Sequence, residues 1–367
     1  MQMEILVWIG VAQSLFASIL MISKKEKSVS DKILYIWLLL LGVEFLTCAL
    51  DYKIFGRPLL SSSFLLFNPA LTLYIRSLTE RDFKLKYVYL LHLIPFLFFE
   101  TYAYAIAIPF EFDTFFHTDD NFSFRMIFTA ATIVSWLVYN PWSLFLILNH
   151  RKRLLNEKSN IDSNENLTWL RSVTLFYVTY CLIVFFIAVY VYFSRADYII
   201  LTFYNYSALL ILIYMISFYG LRQQRLTLKD ESAEELPEEA KAYKNSILTP
   251  ETKADIKARI LDFVENKKAY LNPDLNMDVL SEAIGIPKYQ ITEVLNTELG
   301  KNFFRFINSY RVDEVVRQLS APQLKYSIEA IGYECGFSSK SSFYTVFKKI
   351  TGETPIACRN RMLEKQY

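Results

Sequence analysis

SIEAIGYECGFSSKSSFYTVFKKITGETP, residues 327–355, decides how one end of this chain folds. Ser327 stands where an N-cap belongs, and Ile328, Ile331 and Cys335 recur at helical spacing. Gly336-Phe337 then makes a turn, and Ser338 caps a second helix whose Phe343, Val346, Phe347 and Ile350 share one face. Two short amphipathic helices joined by a glycine turn form a helix-turn-helix unit. The same pattern stands upstream, in NMDVLSEAIGIPKYQITEVLNTELGKNFFRFINSYRVDEVVRQL, residues 276–319. There Leu275, Met277, Val279, Leu280, Ala283 and Ile284 give an apolar face, Gly285 suits a positive φ, and Pro287 opens a helix carrying Ile291, Val294, Leu295 and Leu299. A longer helix follows, buried through Phe303, Phe306, Ile307, Tyr310 and Leu319. The expectation is a soluble helical domain over 251–367, with helix-turn-helix units at about 277–299 and 327–350 joined by a helix over 302–319.

Toward the N-terminus the solvent changes. A 53% hydrophobic content, 16% aromatics and a positive mean hydropathy are too apolar for an ordinary soluble protein. The excess lies before residue 221, where apolar stretches of about 20 residues, enough to cross a ~30 Å hydrocarbon layer, recur over 4–22, 32–50, 60–78, 87–108, 125–148, 170–193 and 198–219. The fold class is therefore all-α: a seven-helix transmembrane, sensor-like bundle over 1–220, a charged linker with Pro237 and Pro250 over 221–250, and the soluble domain.

Basic residues set the orientation. Lys24, Lys25, Lys27 and Lys32, then Arg76, Arg81, Lys84 and Lys86, then Arg151, Lys152, Arg153 and Lys158 follow the first, third and fifth spans. The intervening loops are poor in cations, and one holds Glu111, Asp113, Asp119 and Asp120. The basic loops are expected in the cytoplasm, with the N-terminus outside and the soluble domain cytoplasmic. Only Glu4 precedes the first apolar core, so that segment reads as an uncleaved span and not as a signal peptide. The third span is the weakest, interrupted by Asn68-Pro69 after a serine-rich start.

Cys48, Cys181, Cys335 and Cys358 show no paired spacing and the chain has three histidines, so no metal site, disulfide framework or cofactor is expected. No nucleophile, base and orienting group recur at usable spacing, which argues against an enzyme.

Residues 276–319 and 327–355 resemble the two halves of the arabinose-regulator (AraC) family DNA-binding domain. The run GF-S-x-x-x-F-x-x-x-FKK-x-x-G-x-x-P from Gly336 to Pro355 carries most of that resemblance. YLNPDL at 270–275 and LYIRSLT...HLIPF at 73–96 more loosely resemble bacterial members with several membrane spans. The resemblance implies a membrane-tethered, sequence-specific transcription regulator in the bacterial inner membrane. Its partners would be double-stranded DNA, the lipid bilayer, RNA polymerase and a second copy of itself. It places base readout on Lys340, Ser341 and Thr345, with Ser342 and Tyr344 beside them, and in the first unit on the outward residues Tyr289, Gln290, Thr292 and Glu293. Glu293 would accept from a cytosine amino group or weaken that unit's grip. Gly332, where a helix-favouring Ala is usual, and Cys358, in place of an aromatic, depart from the family pattern.

Charge divides unevenly: residues 301–367 carry 11 Lys or Arg against 6 Asp or Glu, and residues 251–300 carry 6 against 9. Phosphate contacts are expected mainly from the second half, through Lys348, Lys349, Arg359 and Arg361, with Lys288 in the first. In the membrane half Glu44, His92, Glu100, Asn68 and Asn140 are candidate ligand or polar sites, because such groups are costly in a bilayer. A signal there would change self-association or the seventh span, the linker being too soft to transmit torque. The alternative is a receptor or transporter whose cytoplasmic helical domain binds a protein.

Overall fold

The computed structural model describes residues 2–25, 27–80, 83–108, 115–116, 118–162, 165–194, 199–223, 248–321 and 323–364. The linker expected over 221–250 lies largely outside the described residues, as do Glu111, Asp113 and most of the turn after residue 194. Among the described residues the regular elements are helices, accompanied by one isolated β-bridge between Lys158 and Asn276. They form two compact units, one drawn from Met1–Asn149 and Leu167–Leu228, the other from His150–Asn166 and Lys229–Tyr367. The second unit thus takes in a segment that the sequence reading left with the membrane half.

The first unit holds α1 (Gln2–Ile22), α2 (Val29–Phe55), α3 (Phe64–Thr79), α4 (Leu93–Ala105) after a 3-10 turn (Tyr87–His92), α5 (Phe122–Glu157, which runs on past Asn149), α6 (Thr168–Ser194) and α7 (Ile199–Arg222). Among the described residues, six stretches are long and apolar enough to cross a membrane: α1, α2, Tyr87–Ala105, α5, α6 and α7. The third expected span is corrected. α3 has 16 residues, or about 24 Å at 1.5 Å per residue, short of the ~30 Å layer. Eleven of those residues are buried, so α3 is an interior helix.

Residues 59–63, which lead into α3 and include the serine run, are irregular backbone, and three carboxylates accept from them. Asp51 accepts from the Leu59 N–H at 3.0 Å, and Glu100 from the Ser62 N–H at 2.8 Å and hydroxyl at 2.6 Å. Glu44 accepts from the Ser61 hydroxyl at 2.9 Å and from that of Ser63. Irregular backbone survives away from water only when its polar groups are paired in this way. Pro69 and Pro141 both sit inside continuous helices, so neither Asn-Pro pair marks a broken one.

The second unit holds α8 (Pro250–Leu261), α9 (Met277–Ile284), α10 (Lys288–Glu298), α11 (Phe303–Leu319), α12 (Ile328–Glu334), α13 (Lys340–Thr351) and α14 (Pro355–Glu364). Gly285 and Gly336 take the left-handed turn conformation at φ +68° and +91°. Asn276, Asn302 and Ser327 cap their helices, each side chain accepting from the backbone N–H three residues on. Two cores result. Ile256, Ile260, Leu280, Ile291, Leu295, Phe306 and Ile307 belong to the first, and Val312, Val315, Leu319, Ile331, Phe337, Phe343 and Phe347 to the second. α11 serves both and joins the two helix-turn-helix units. Cys335 and Cys358 are free and buried in the second core, and burial pushes the Cys335 thiol up to about 12.

Candidate nucleic-acid interface

α13 separates its chemistry cleanly. Its N-cap is Ser339, one residue beyond the expected Ser338, and the Ser339 hydroxyl accepts from the Ser342 N–H at 3.2 Å. Phe343, Val346 and Phe347 are buried, while Lys340, Ser341 and Thr345 are exposed and Ser342 and Tyr344 half-buried. Lys348 and Lys349 are exposed in the last turn. Lys340 pairs with Glu329 at 2.8 Å, which holds its ammonium above the ordinary value, yet its side chain stays 61% exposed. This face offers hydroxyls and cations at major-groove scale, the donor set that suits base edges and phosphates.

Arg359 is a correction. It is buried, and its guanidinium donates at 2.6 Å to the carbonyls of Leu319 and Ala321, closing the end of α11. A guanidinium spent on internal carbonyls is not presented to a phosphate. Arg361 is half-exposed and pairs with Glu353 at 2.6 Å.

The first helix-turn-helix unit also departs from expectation. Tyr289 is exposed and Gln290 half-buried, its amide donating to the Tyr289 hydroxyl at 3.1 Å. Lys288 is held by an ion pair with Asp278. Thr292 and Glu293, expected to face outward, are buried at 5% and 6% exposure. α8 packs along this helix, and its Lys253 pairs with Glu293 at 2.8 Å. What looked like an outward carboxylate is a packing contact.

Four of the five membrane-half candidates are hydrogen-bonded to serine or tyrosine residues nearby. Glu44 is buried and accepts from the Tyr206 hydroxyl at 2.9 Å as well as from the serines. Asn68 donates to Ser135 at 3.0 Å and accepts from Tyr177 at 2.8 Å. The His92 ring shares a hydrogen bond with the Tyr139 hydroxyl at 2.8 Å. Asn140 is buried with neither amide atom partnered among the described residues. Asp51, which sequence reasoning passed over, accepts from the Tyr104 hydroxyl at 2.9 Å. A cavity of about 820 Å³ opens beside Glu44, Asn68, Phe128, Cys181 and Tyr206, largely apolar with these few polar groups in its wall.

Comparison with known proteins bears on the second unit. A family model described as a helix-turn-helix domain matches residues 280–361. An uncharacterized HTH-type transcriptional regulator from the cgkA 5′ region of Pseudoalteromonas carrageenovora is 30% identical over 93 residues, 25% of this chain and 52% of that protein. An uncharacterized HTH-type transcriptional regulator of Staphylococcus aureus (strain COL) is 29% identical over 97 residues, 26% of this chain and 12% of the relative. The chain thus spans about half of one relative's length and about an eighth of the other's. A solved structure of a Listeria innocua protein of unknown function aligns with 29% of this chain and 95% of its own at 26% identity and a TM-score of 0.26.

Proposed function

We propose that this chain is a membrane-anchored, sequence-specific transcription regulator of the arabinose-regulator type, reading double-stranded DNA with its second unit. The observation that carries this reading is the face of α13. Lys340, Ser341 and Thr345 are exposed, backed by the buried Phe343 and Phe347 and followed by Lys348 and Lys349. The helix-turn-helix match over 280–361 and the HTH-type regulators among its relatives support it. The exposed Tyr289 and half-buried Gln290 add the outward part of the first helix-turn-helix unit.

The six long apolar helices and the basic residues after α3 and α5 support a bacterial cytoplasmic membrane location with the second unit on the cytoplasmic side; because α3 does not cross, the N-terminus then shares that side and the basic residues after α1 face outward. The cavity beside Glu44 is where a lipophilic signal molecule fits. Paired operator elements would be bound by a homodimer acting on RNA polymerase.

The test is to crosslink the intact, membrane-anchored protein to chromatin in its host and sequence the bound DNA. The reading expects discrete sites with two elements about one helical turn apart, lost in a Lys340→Ala, Thr345→Ala double variant whose level in the membrane is unchanged. An empty map for the unaltered protein under several growth conditions, or sites that survive the double substitution, would remove this reading.

A further inference from the structure

The segment Lys158–Asn160 connects α5 to α6 along the chain, yet it lies in the seam between the two halves of the second unit. Lys158 bridges Asn276, the N-cap of α9. The Ser159 hydroxyl donates to the Leu275 carbonyl. The Ser159 carbonyl accepts from Asn308 at 2.8 Å and Arg311 at 3.2 Å, both on α11. The Asn160 amide donates to the Pro273 carbonyl at 2.7 Å and to the Gly336 carbonyl at 2.9 Å. Three consecutive residues therefore touch the lead-in to the first helix-turn-helix unit, the shared helix and the turn of the second. Ser159 is completely buried, unlike a solvated loop tip.

Arg311 shows what the segment supplies. It is completely buried on α11, between Ile307 of one core and Val312 of the other. Its hydrogen bonds go to neutral oxygens: the carbonyls of Tyr270 at 2.8 Å and Asn272 at 2.9 Å, the Asn308 amide oxygen at 3.4 Å, and the carbonyl and hydroxyl of Ser159. Burial pulls its guanidinium down to about 9. Stripping two acceptors from a buried cation is costly, so the seam is complete only with the segment in place. Gly336 closes the same seam, since a Cβ there would stand 2.4 Å from the Tyr270 carbonyl and 2.9 Å from Arg311 Nε.

We propose that Lys158–Asn160 is a wedge that fixes the two helix-turn-helix halves in one relative orientation, so that a change in α5 or α6 reaches DNA through it and not only through the linker. This rests on the DNA-binding reading above. With the wedge seated, the halves are preorganised for two successive grooves. Withdrawn, each half still reads its own groove, but joint binding must first order the pair.

The experiment uses the full chain in lipid nanodiscs and two DNAs from the chromatin map, one intact and one with the first element scrambled. Asn160→Asp removes the amide donor and sets a carboxylate against two carbonyls; Asn160→Ala removes the donor alone. Both are expected to weaken binding to the intact site about tenfold, the scale of one to two lost hydrogen bonds. Binding to the scrambled site should change less than twofold, and amide exchange should rise at residues 271–276 and around Gly336. Unchanged affinity for the intact site, or an equal loss on both DNAs, would overturn the wedge. Failure of the unaltered protein to distinguish the two DNAs would instead overturn the DNA-binding reading, and the wedge with it.

Discussion

The two helix-turn-helix units share a plan and differ in what they leave uncovered. α10 is clasped by α8, so Thr292 and Glu293 are buried and Lys288 is tied to Asp278, leaving Tyr289 and Gln290 as its outward chemistry. Among the described residues no helix clasps α13 in this way, and it presents Lys340, Ser341, Thr345, Lys348 and Lys349. On the proposed function, a shared motif thus gives two unequal readers: the second offers phosphate grip and base contact, the first a narrower aromatic and amide contact.

The largest expected effect tests the packing beneath that difference. Four residues before the turn glycine the first unit has Ser281, whose hydroxyl donates to the Ile286 carbonyl at 2.6 Å, and the second has Gly332. A Cβ on Gly332 would meet the Phe343 ring at 2.6 Å. Gly332→Ala should therefore destabilise the second half by roughly 1–2 kcal/mol, overpacking outweighing a helix-propensity gain of about 1 kcal/mol. Ser281→Ala should cost about 1 kcal/mol in the first. Amide exchange of the full chain in nanodiscs reads both, and a more stable Gly332→Ala protein would mean that Phe343 moves aside freely.

Next in size is base discrimination. Thr345→Ala should relax preference at one position of the second element by about 1–2 kcal/mol, within the range of a base contact, whereas Thr292→Ala should leave preference intact. Competition binding across single-base operator variants decides it, and equal effects would erase the asymmetry.

The smallest effect concerns salt. Replacing Lys348 and Lys349 with alanine should reduce the dependence of log affinity on log salt by roughly one unit each. Lys288→Ala should change it less, because Asp278 already neutralises that charge. An equal change from Lys288 would show that its ion pair opens on DNA.

Much of the second unit was legible because apolar side chains repeat at helical spacing, and α9 to α13 stand close to where that spacing puts them. α8 was not read as a helix: PETKADIKARIL buries only Ile256 and Ile260, too few to mark a face. Without α8 alongside, helical spacing alone turns Thr292 and Glu293 outward. Arg359 was misassigned for a related reason, since a cation's sequence context does not say whether carbonyls of a helix end lie beside it. In the membrane half Glu44 and Glu100 stood out as charges in apolar surroundings, but hydropathy cannot distinguish an interior helix from a lipid-facing one, and α3 was drawn too long. Ser159, Asn160 and Arg311 were invisible, because their contacts join residues more than a hundred positions apart.

The short, interior α3 also constrains how the chain is made. Leaving a ribosome into a bilayer, a 16-residue helix carries Thr72, whose hydroxyl donates back to the Asn68 carbonyl, and Asn68, whose side-chain partners lie on later helices. The Ser135 and Ser143 hydroxyls that meet them belong to α5, and the Tyr177 hydroxyl that completes Asn68 belongs to α6. α3 therefore settles only after synthesis has passed α6, and until then its polar groups are a reason for chaperones and quality-control proteases to recognise the unfinished chain.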